Sequence, residues 1–205
     1  MKVSDDGTVT FVQGRLEISI RPMTDEELNR QFTSASSGQE SSLNPYTYGD
    51  WVDPELGEVP PRFTVFRLRV KNYMYPKIQV DPMKAVIIAQ NGRQYAPLGL
   101  AQLDEYYQKF ITGYTGNRYS AHHERMAIAR NSGFHGEPVF SGQEKDGFVV
   151  FPLLHPDVGR IELQLRQVAL RFGVWGEPLE QIDVAYTFVR EIGRVGPDGK
   201  VKTRL

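Results

Sequence analysis

Phe63-Thr64-Val65-Phe66-Arg67-Leu68-Arg69-Val70-Lys71-Asn72 is the stretch that decides the fold class. Phe66, Leu68 and Val70 fall on one face of an extended chain, and Arg67, Arg69 and Lys71 on the other. That period-two alternation is the pattern of an antiparallel strand with one wet side. Upstream, Leu16, Ile18 and Ile20 alternate with Glu17 and Ser19 in the same way. Downstream, Ala85-Val86-Ile87-Ile88-Ala89 is a continuous apolar run, short enough for a strand buried on both faces. Asn91-Gly92 behind it predicts a two-residue hairpin turn that returns through Gln94-Tyr95. Gly147-Phe148-Val149-Val150-Phe151-Pro152 reads as another strand. Ile161, Leu163 and Leu165 alternate, then Val168, Leu170 and Phe172 alternate in the opposite phase. The slip between Leu165 and Val168 means either a bulge or a strand end, because a one-residue shift swaps faces. Gly173–Pro178 reads as a turn, and Ile182, Val184, Tyr186 and Phe188 form a last strand. Short strands at this spacing predict a mainly β chain folded as an antiparallel sandwich.

Two segments break the rhythm. In Met23–Phe32, Thr24 and Glu27 fit a capping box ahead of Leu28. In Gly99–Thr112, Leu100, Leu103, Tyr107, Phe110 and Ile111 share one helical face. Gly113–Tyr119 then reads as a loop, and Ser120 as the cap of a second helix over Ala121–Arg130. The expected organisation is one sandwich domain over 1–205, with a long loop excursion at 33–61, a helical insertion at 98–133 and an exposed C-terminal arm at 192–205. The excursion opens Ser-rich, as a flexible linker would, and continues into Asn44-Pro45-Tyr46-Thr47-Tyr48-Gly49-Asp50-Trp51, which is too aromatic for a plain linker.

Composition narrows the class. Lys and Arg total 24 against 25 Asp and Glu, a net charge of -1, which speaks against a nucleic-acid-binding field or a polybasic membrane anchor. The 205 residues contain no cysteine, so disulfides, thiolate metal sites and cysteine catalysis are excluded. No apolar run approaches the ~18 residues of a membrane-spanning helix. Met1-Lys2-Val3-Ser4-Asp5-Asp6-Gly7 carries no hydrophobic leader, so the expectation is a cytosolic chain or a secreted one with its leader removed.

Phe140-Ser141-Gly142-Gln143-Glu144-Lys145-Asp146-Gly147-Phe148-Val149-Val150-Phe151-Pro152 resembles the PGE…KGxVVF turn and strand of bacterial immunoglobulin-like lipoprotein domains of unknown function, which are related to a secreted mycobacterial antigen. Val65–Asn72 is similar to an earlier strand of those domains, and Asp81-Pro82…Asn91-Gly92-Arg93-Gln94-Tyr95 to the segment between. The resemblance covers roughly Phe63–Tyr95 and Phe140–Phe188, about half the chain. Ser141 stands where that pattern often has proline, and 98–133 lies outside the shared part. The resemblance implies an immunoglobulin-like sandwich and a periplasmic or cell-surface location. It brings no catalytic residue.

Candidate chemistry is sparse. His122 and His123 are neighbours on a predicted helix and point about 100° apart, which does not suit one metal. His122 and Met126 stand four residues apart, the spacing of two ligands suited to copper(I) or haem. His123-Glu124 lacks the second histidine of H-E-x-x-H. These three residues, with His135 and His155, carry the alternative reading of a metal- or haem-binding protein; the main reading takes no cofactor. Asp25-Glu26-Glu27 sits in a predicted first turn, where negative charge complements the helix dipole. Asp104-Glu105 has a similar helical setting. No nucleophile elbow or phosphate loop occurs. The aromatics remain. Tyr46, Tyr48 and Trp51 are expected as one partner-binding patch, and Tyr106, Tyr107, Tyr114 and Tyr119 as a second. The function expected from the sequence is a non-enzymatic binding or assembly module of a bacterial envelope complex. Its partner is a protein or a glycan, not nucleic acid, and the membrane is reached only through a lipid anchor absent from this chain.

Overall fold

The computed structural model describes residues 1–37, 42–55, 57, 59–109, 117–190, 193–195 and 201–203, with backbone alone at 117–119, 193–195 and 201–203. In chain order the elements are β1 (Lys2–Val3), β2 (Val9–Gln13), β3 (Leu16–Met23), α1 (Asp25–Gln31), α2 (Thr33–Ser36), β4 (Phe63–Asn72), β5 (Lys77–Ile78), β6 (Ala85–Ala89), β7 (Gln94–Tyr95), α3 (Leu100–Gln108) and α4 (Asn117–Ser132). They continue as β8 (Val139–Phe140), β9 (Gln143–Pro152), β10 (Arg160–Phe172), β11 (Pro178–Val189), β12 (Gly193–Val195) and β13 (Val201–Thr203). One sheet runs β1-β2-β3-β4-β9 and the other β11-β10-β6-β7; β12 pairs with β13, and β5 with β8. Every pairing among these strands is antiparallel.

The alternation in β3 and β4 builds the core. Leu16, Ile18, Ile20, Phe66, Leu68 and Val70 are buried against Ile87, Leu163, Leu165, Val184 and Tyr186 of the facing sheet. The Tyr186 hydroxyl donates to the Ile18 carbonyl at 2.9 Å, tying the two sheets together. Burial pushes the Tyr186 phenol far above its ordinary pKa.

The other face of β4 is wet only along half its length. Arg67 pairs with Asp146, Arg69 with Glu144 and Lys71 with Glu17, all across strands. β4 lies between β3 and β9, so this cationic row runs through the middle of the sheet and not along an edge. At the Phe63–Val65 end the same face is covered. Phe63, Val65, Phe148 and Val150 form a second core with Leu28, Tyr46, Leu103, Tyr107, Met126 and Ala129. Gly147–Phe151 is a continuous apolar run because β9 is buried on both faces there. Its outer edge receives Leu98, whose N–H donates to Val150 at 2.7 Å, and Phe134, whose N–H donates to Phe148 at 2.9 Å. The edge is thereby closed to other chains. A Cβ at Gly147 would stand 2.6 Å from the Phe134 nitrogen, so only glycine admits this approach.

Local expectations divide. The capping box forms: Glu27 N–H donates to Thr24 Oγ1 at 3.2 Å, and Thr24 N–H to Glu27 Oε2 at 3.1 Å. The slip in β10 is a bulge within one continuous strand. Gln167 takes φ 54° there, and its N–H donates to Asp183 Oδ1 at 2.7 Å. The β6–β7 turn is longer than predicted: Ala89 N–H donates to Arg93 at 2.8 Å across Gln90, Asn91 and Gly92, with Gly92 at φ 81°. Ser120 is not a cap, since α4 already starts at Asn117. The Ser-rich opening of the excursion is not a linker over its described part. Thr33–Ser36 is helical, and Ser36 and Ser42 are buried because their hydroxyls find local partners in Asn44 and Ala35.

Candidate functional site

Residues 42–51 fold back over the outer face of β9 and meet α3 and α4. Asn44 holds this loop. Its Nδ2 donates to Ser36 at 3.0 Å and its Oδ1 accepts from Tyr46 N–H at 3.0 Å. Thr47 Oγ1 accepts from Gly49 N–H at 3.0 Å, and Arg125 donates twice to the Ser42 carbonyl, at 2.6 and 3.2 Å. The consequence is that Tyr46 is 1% exposed and Tyr107 1% exposed. Tyr46 stacks edge-on against Phe148 at 5.1 Å and shares a 2.6 Å hydrogen bond with Ser132. Tyr107 donates to the Pro45 carbonyl at 2.6 Å. Burial raises both phenols well above their ordinary pKa; Arg62 and Arg125 pull Tyr107 the other way. These two rings have no surface to give a partner, which corrects the expectation for them.

Tyr48, Trp51 and Tyr106 are half-buried. Tyr48 and Trp51 stack at 5.8 Å, and the Arg62 guanidinium lies 3.8 Å over the Tyr48 ring. Arg62 and Arg125 also face the Tyr107 ring, at 5.5 and 4.6 Å. Tyr106 packs on Phe63 and Tyr107, and its phenol is raised first by burial and then by its hydrogen bond with Tyr48. No local pattern marks this guanidinium–phenol stack, because Arg62 and Arg125 lie 63 positions apart in a chain rich in arginine. Tyr114 lies outside the described residues, and Tyr119 is described only as part of α4. Asp25, at the start of α1, is raised to about 6 by burial, with Arg62 pulling it down.

The histidines are placed differently from a metal centre. His122 Nε2 meets Asp104 Oδ1 at 2.9 Å, and its buried Nδ1 finds no hydrogen-bond partner. Its ring stands 5.9 Å from that of His123, while Met126 belongs to the second core. His155 Nδ1 meets Asp157 at 2.6 Å, and His135 Nε2 meets the Arg130 carbonyl. No group of three or more His, Asp or Glu side chains fit to hold a metal ion occurs among the described residues. A cavity of about 200 Å³ lies between β9 and the helices, lined by Leu98, Leu103, Phe134 and Phe148 with Asp81 and His135 as its polar members.

Residues that the sequence reading passed over stand at one end of the sandwich. The β2–β3 turn, the β4–β5 loop, the β8–β9 turn and the β10–β11 turn all meet there, since Asn72 pairs with Gln143 and Leu16, and Gln79 with Ala169. Buried Asn72 knits the loops: Nδ2 donates to the carbonyls of Tyr75 at 2.8 Å and Val139 at 2.9 Å, and Oδ1 accepts from Tyr75 N–H at 2.9 Å. Gln13 donates to the Tyr75 hydroxyl at 2.8 Å. In the β10–β11 turn, Gly173 N–H donates to Glu177 O at 2.8 Å, Gly176 N–H to Gly173 O at 3.0 Å and Trp175 N–H to Glu177 Oε2 at 3.1 Å. With these amides satisfied inside the turn, the side chains point out. Val174 is 97% exposed and Trp175 92% exposed. Tyr73, Met74, Phe140 and Leu179 are exposed at the same end. A signal for this was present in the sequence, because Gly173-Val174-Trp175-Gly176 puts two large apolar residues where a turn ordinarily carries polar ones.

No protein-family model and no curated protein matches the chain. Among solved structures, the chain is similar to the yjhA protein from Bacillus subtilis, with a TM-score of 0.42 and 8% identity over 86% of this chain and 93% of that one. It is also similar to MPT63, a secreted protein from Mycobacterium tuberculosis, with a TM-score of 0.31 and 10% identity over 76% of this chain and 82% of that one. No helix among the described residues is long and apolar enough to cross a membrane.

Proposed function

We propose that this chain is a non-enzymatic binding module, and that it recognises its partner through the end of the sandwich that presents Tyr73, Met74, Phe140, Val174, Trp175 and Leu179. The observation that carries this reading is the exposure of Val174 and Trp175, 97% and 92%, on a turn braced by three hydrogen bonds of its own. An indole left in water on a rigid support costs solubility and folds nothing, so its use lies outside the chain. The supporting loops are held by Asn72 and Gln13, so little is lost in ordering them on contact. The non-catalytic part rests on how the titratable side chains are used. His122, His155, Asp146, Glu144 and Glu27 are each engaged in structural pairs or caps. Asp25 owes its raised pKa to burial and does not line the cavity.

The setting we propose is a bacterial cell envelope, on the strength of the sequence resemblance to envelope lipoprotein domains. Half-buried Tyr48, Trp51 and Tyr106 belong to the flank of this module and are secondary to the hairpin end. The test is retention on isolated envelope membranes, comparing the wild type with a Val174→Ser, Trp175→Ser double variant. The variant is expected to lose retention while melting at the wild-type temperature. Equal retention of the two proteins defeats the reading.

A further inference from the structure

We propose that the partner of this end is the lipid bilayer itself, with Val174 and Trp175 entering the interface and Arg15 and Lys77 at headgroup level. This rests on the preceding reading and names its partner. The shape of the surface is the first reason. Two nearly fully exposed side chains project from the tip of a hairpin, and Tyr73, Met74, Phe140 and Leu179 are exposed at the same end of the sandwich. A convex apolar tip asks for a medium that flows around it, and a bilayer interface does. Tryptophan suits that depth, because its ring is apolar and its N–H reaches the polar headgroups.

Charge is the second reason. Arg15 is exposed in the β2–β3 turn and makes no ion pair among the described residues. Lys77 holds its ammonium 4.1 Å over the Phe172 ring, beside the hairpin. Arg171 is neutralised by Glu180 at 3.0 Å, and Glu144 by Arg69 at 2.5 Å. Glu177 is turned back to accept the Trp175 N–H at 3.1 Å. Against Arg15 and Lys77 the tip sets one exposed carboxylate, Glu177, so the balance among the described residues there is cationic by one charge, the sign that anionic headgroups attract. The sequence reading reserved membrane contact for a lipid anchor; this wedge needs none.

The chain has 2 tryptophans, so a Trp51→Phe variant makes Trp175 the sole indole reporter. It is mixed with vesicles of phosphatidylcholine, and separately with vesicles of phosphatidylcholine and phosphatidylglycerol in equal parts. The expected result is a blue-shifted emission, quenched by bromine on the acyl chains, and sedimentation with the vesicles. The Val174→Ser, Trp175→Ser variant should lose at least about tenfold in partitioning. An Arg15→Gln, Lys77→Gln variant should partition on the anionic vesicles only as far as on the neutral ones, where it matches the wild type. An unshifted emission, with no sedimentation on either vesicle, overturns lipid docking. If the serine variant nevertheless loses retention on whole envelope membranes, the binding surface stands and its partner is a protein. If that retention is also unchanged, both readings fall.

Discussion

The molecule has two regions where aromatic rings leave the main sandwich core, and they use those rings in opposite ways. On the helical flank, Tyr46 and Tyr107 are held at 1% exposure, Tyr46 in a loop that packs back on β9 and Tyr107 beneath that loop with two guanidiniums over its ring. At the hairpin end, Trp175 sits in a turn too short to fold back and is 92% exposed among the described residues. An aromatic residue in a loop becomes core when its loop is long enough to return to the sheet, and surface when it is not. The flank has the length of the excursion before β4 to work with, and the hairpin has only Gly173–Glu177.

That contrast fails or sharpens under substitution. The largest effect is expected from Tyr107→Ala, which removes a buried ring, its bond to Pro45 and the stacking surface of Arg62 and Arg125. A loss of about 3–5 kcal/mol in urea unfolding is expected. A loss under about 1 kcal/mol would mean that the flank is not a core at all. Next comes pH. The folded-state pKa of Asp25 is raised from 3.8 to about 6, so folding favours its neutral form. Its contribution is complete below about pH 4 and is lost as pH rises through about 6, a span on the order of 3 kcal/mol. Unfolding measured across that range should show this decline in the wild type, and Asp25→Asn should flatten it. Tyr46→Phe deletes only the hydroxyl that shares a hydrogen bond with Ser132, and about 1 kcal/mol should go with it, read from the same urea curves. Smallest is Trp175→Ala. Its melting temperature should match the wild type, with stability within about 0.5 kcal/mol, because the ring makes no burial to lose. A large destabilisation by Trp175→Ala would erase the distinction between the two regions.

Legibility followed the range of the interaction involved. The strands around Leu16–Ile20, Phe63–Asn72 and Ile161–Phe172 were readable because period two is a property of neighbouring residues, and the sheets they enter bury the face the pattern marks. The capping box of Thr24 and Glu27 was readable for the same reason, since both partners lie within one turn. The bulge at Gln167 was half readable: the phase slip marked its place, but only the continued pairing with β11 distinguished it from a strand end. The partner patches were the hardest. Tyr46 and Tyr107 looked like sticky surface because their burial depends on Arg62, Asn44 and Arg125, which come from three separate segments. Val174 and Trp175 were passed over as part of a turn, although two large apolar residues between glycines were in plain view.

Backbone geometry explains the division. Side-chain alternation, turn residues and capping boxes act between positions a few residues apart, so the sequence by itself determined a mainly β chain, the antiparallel strands and the helical interruption. Whether a ring in a loop is covered or bare depends on which distant segment arrives above it, and that is settled by loop length, edge closure of β9 and the packing of two guanidiniums. Only the tertiary structure decided that Tyr46 and Tyr107 of the flank are interior and that the tryptophan of the hairpin faces out.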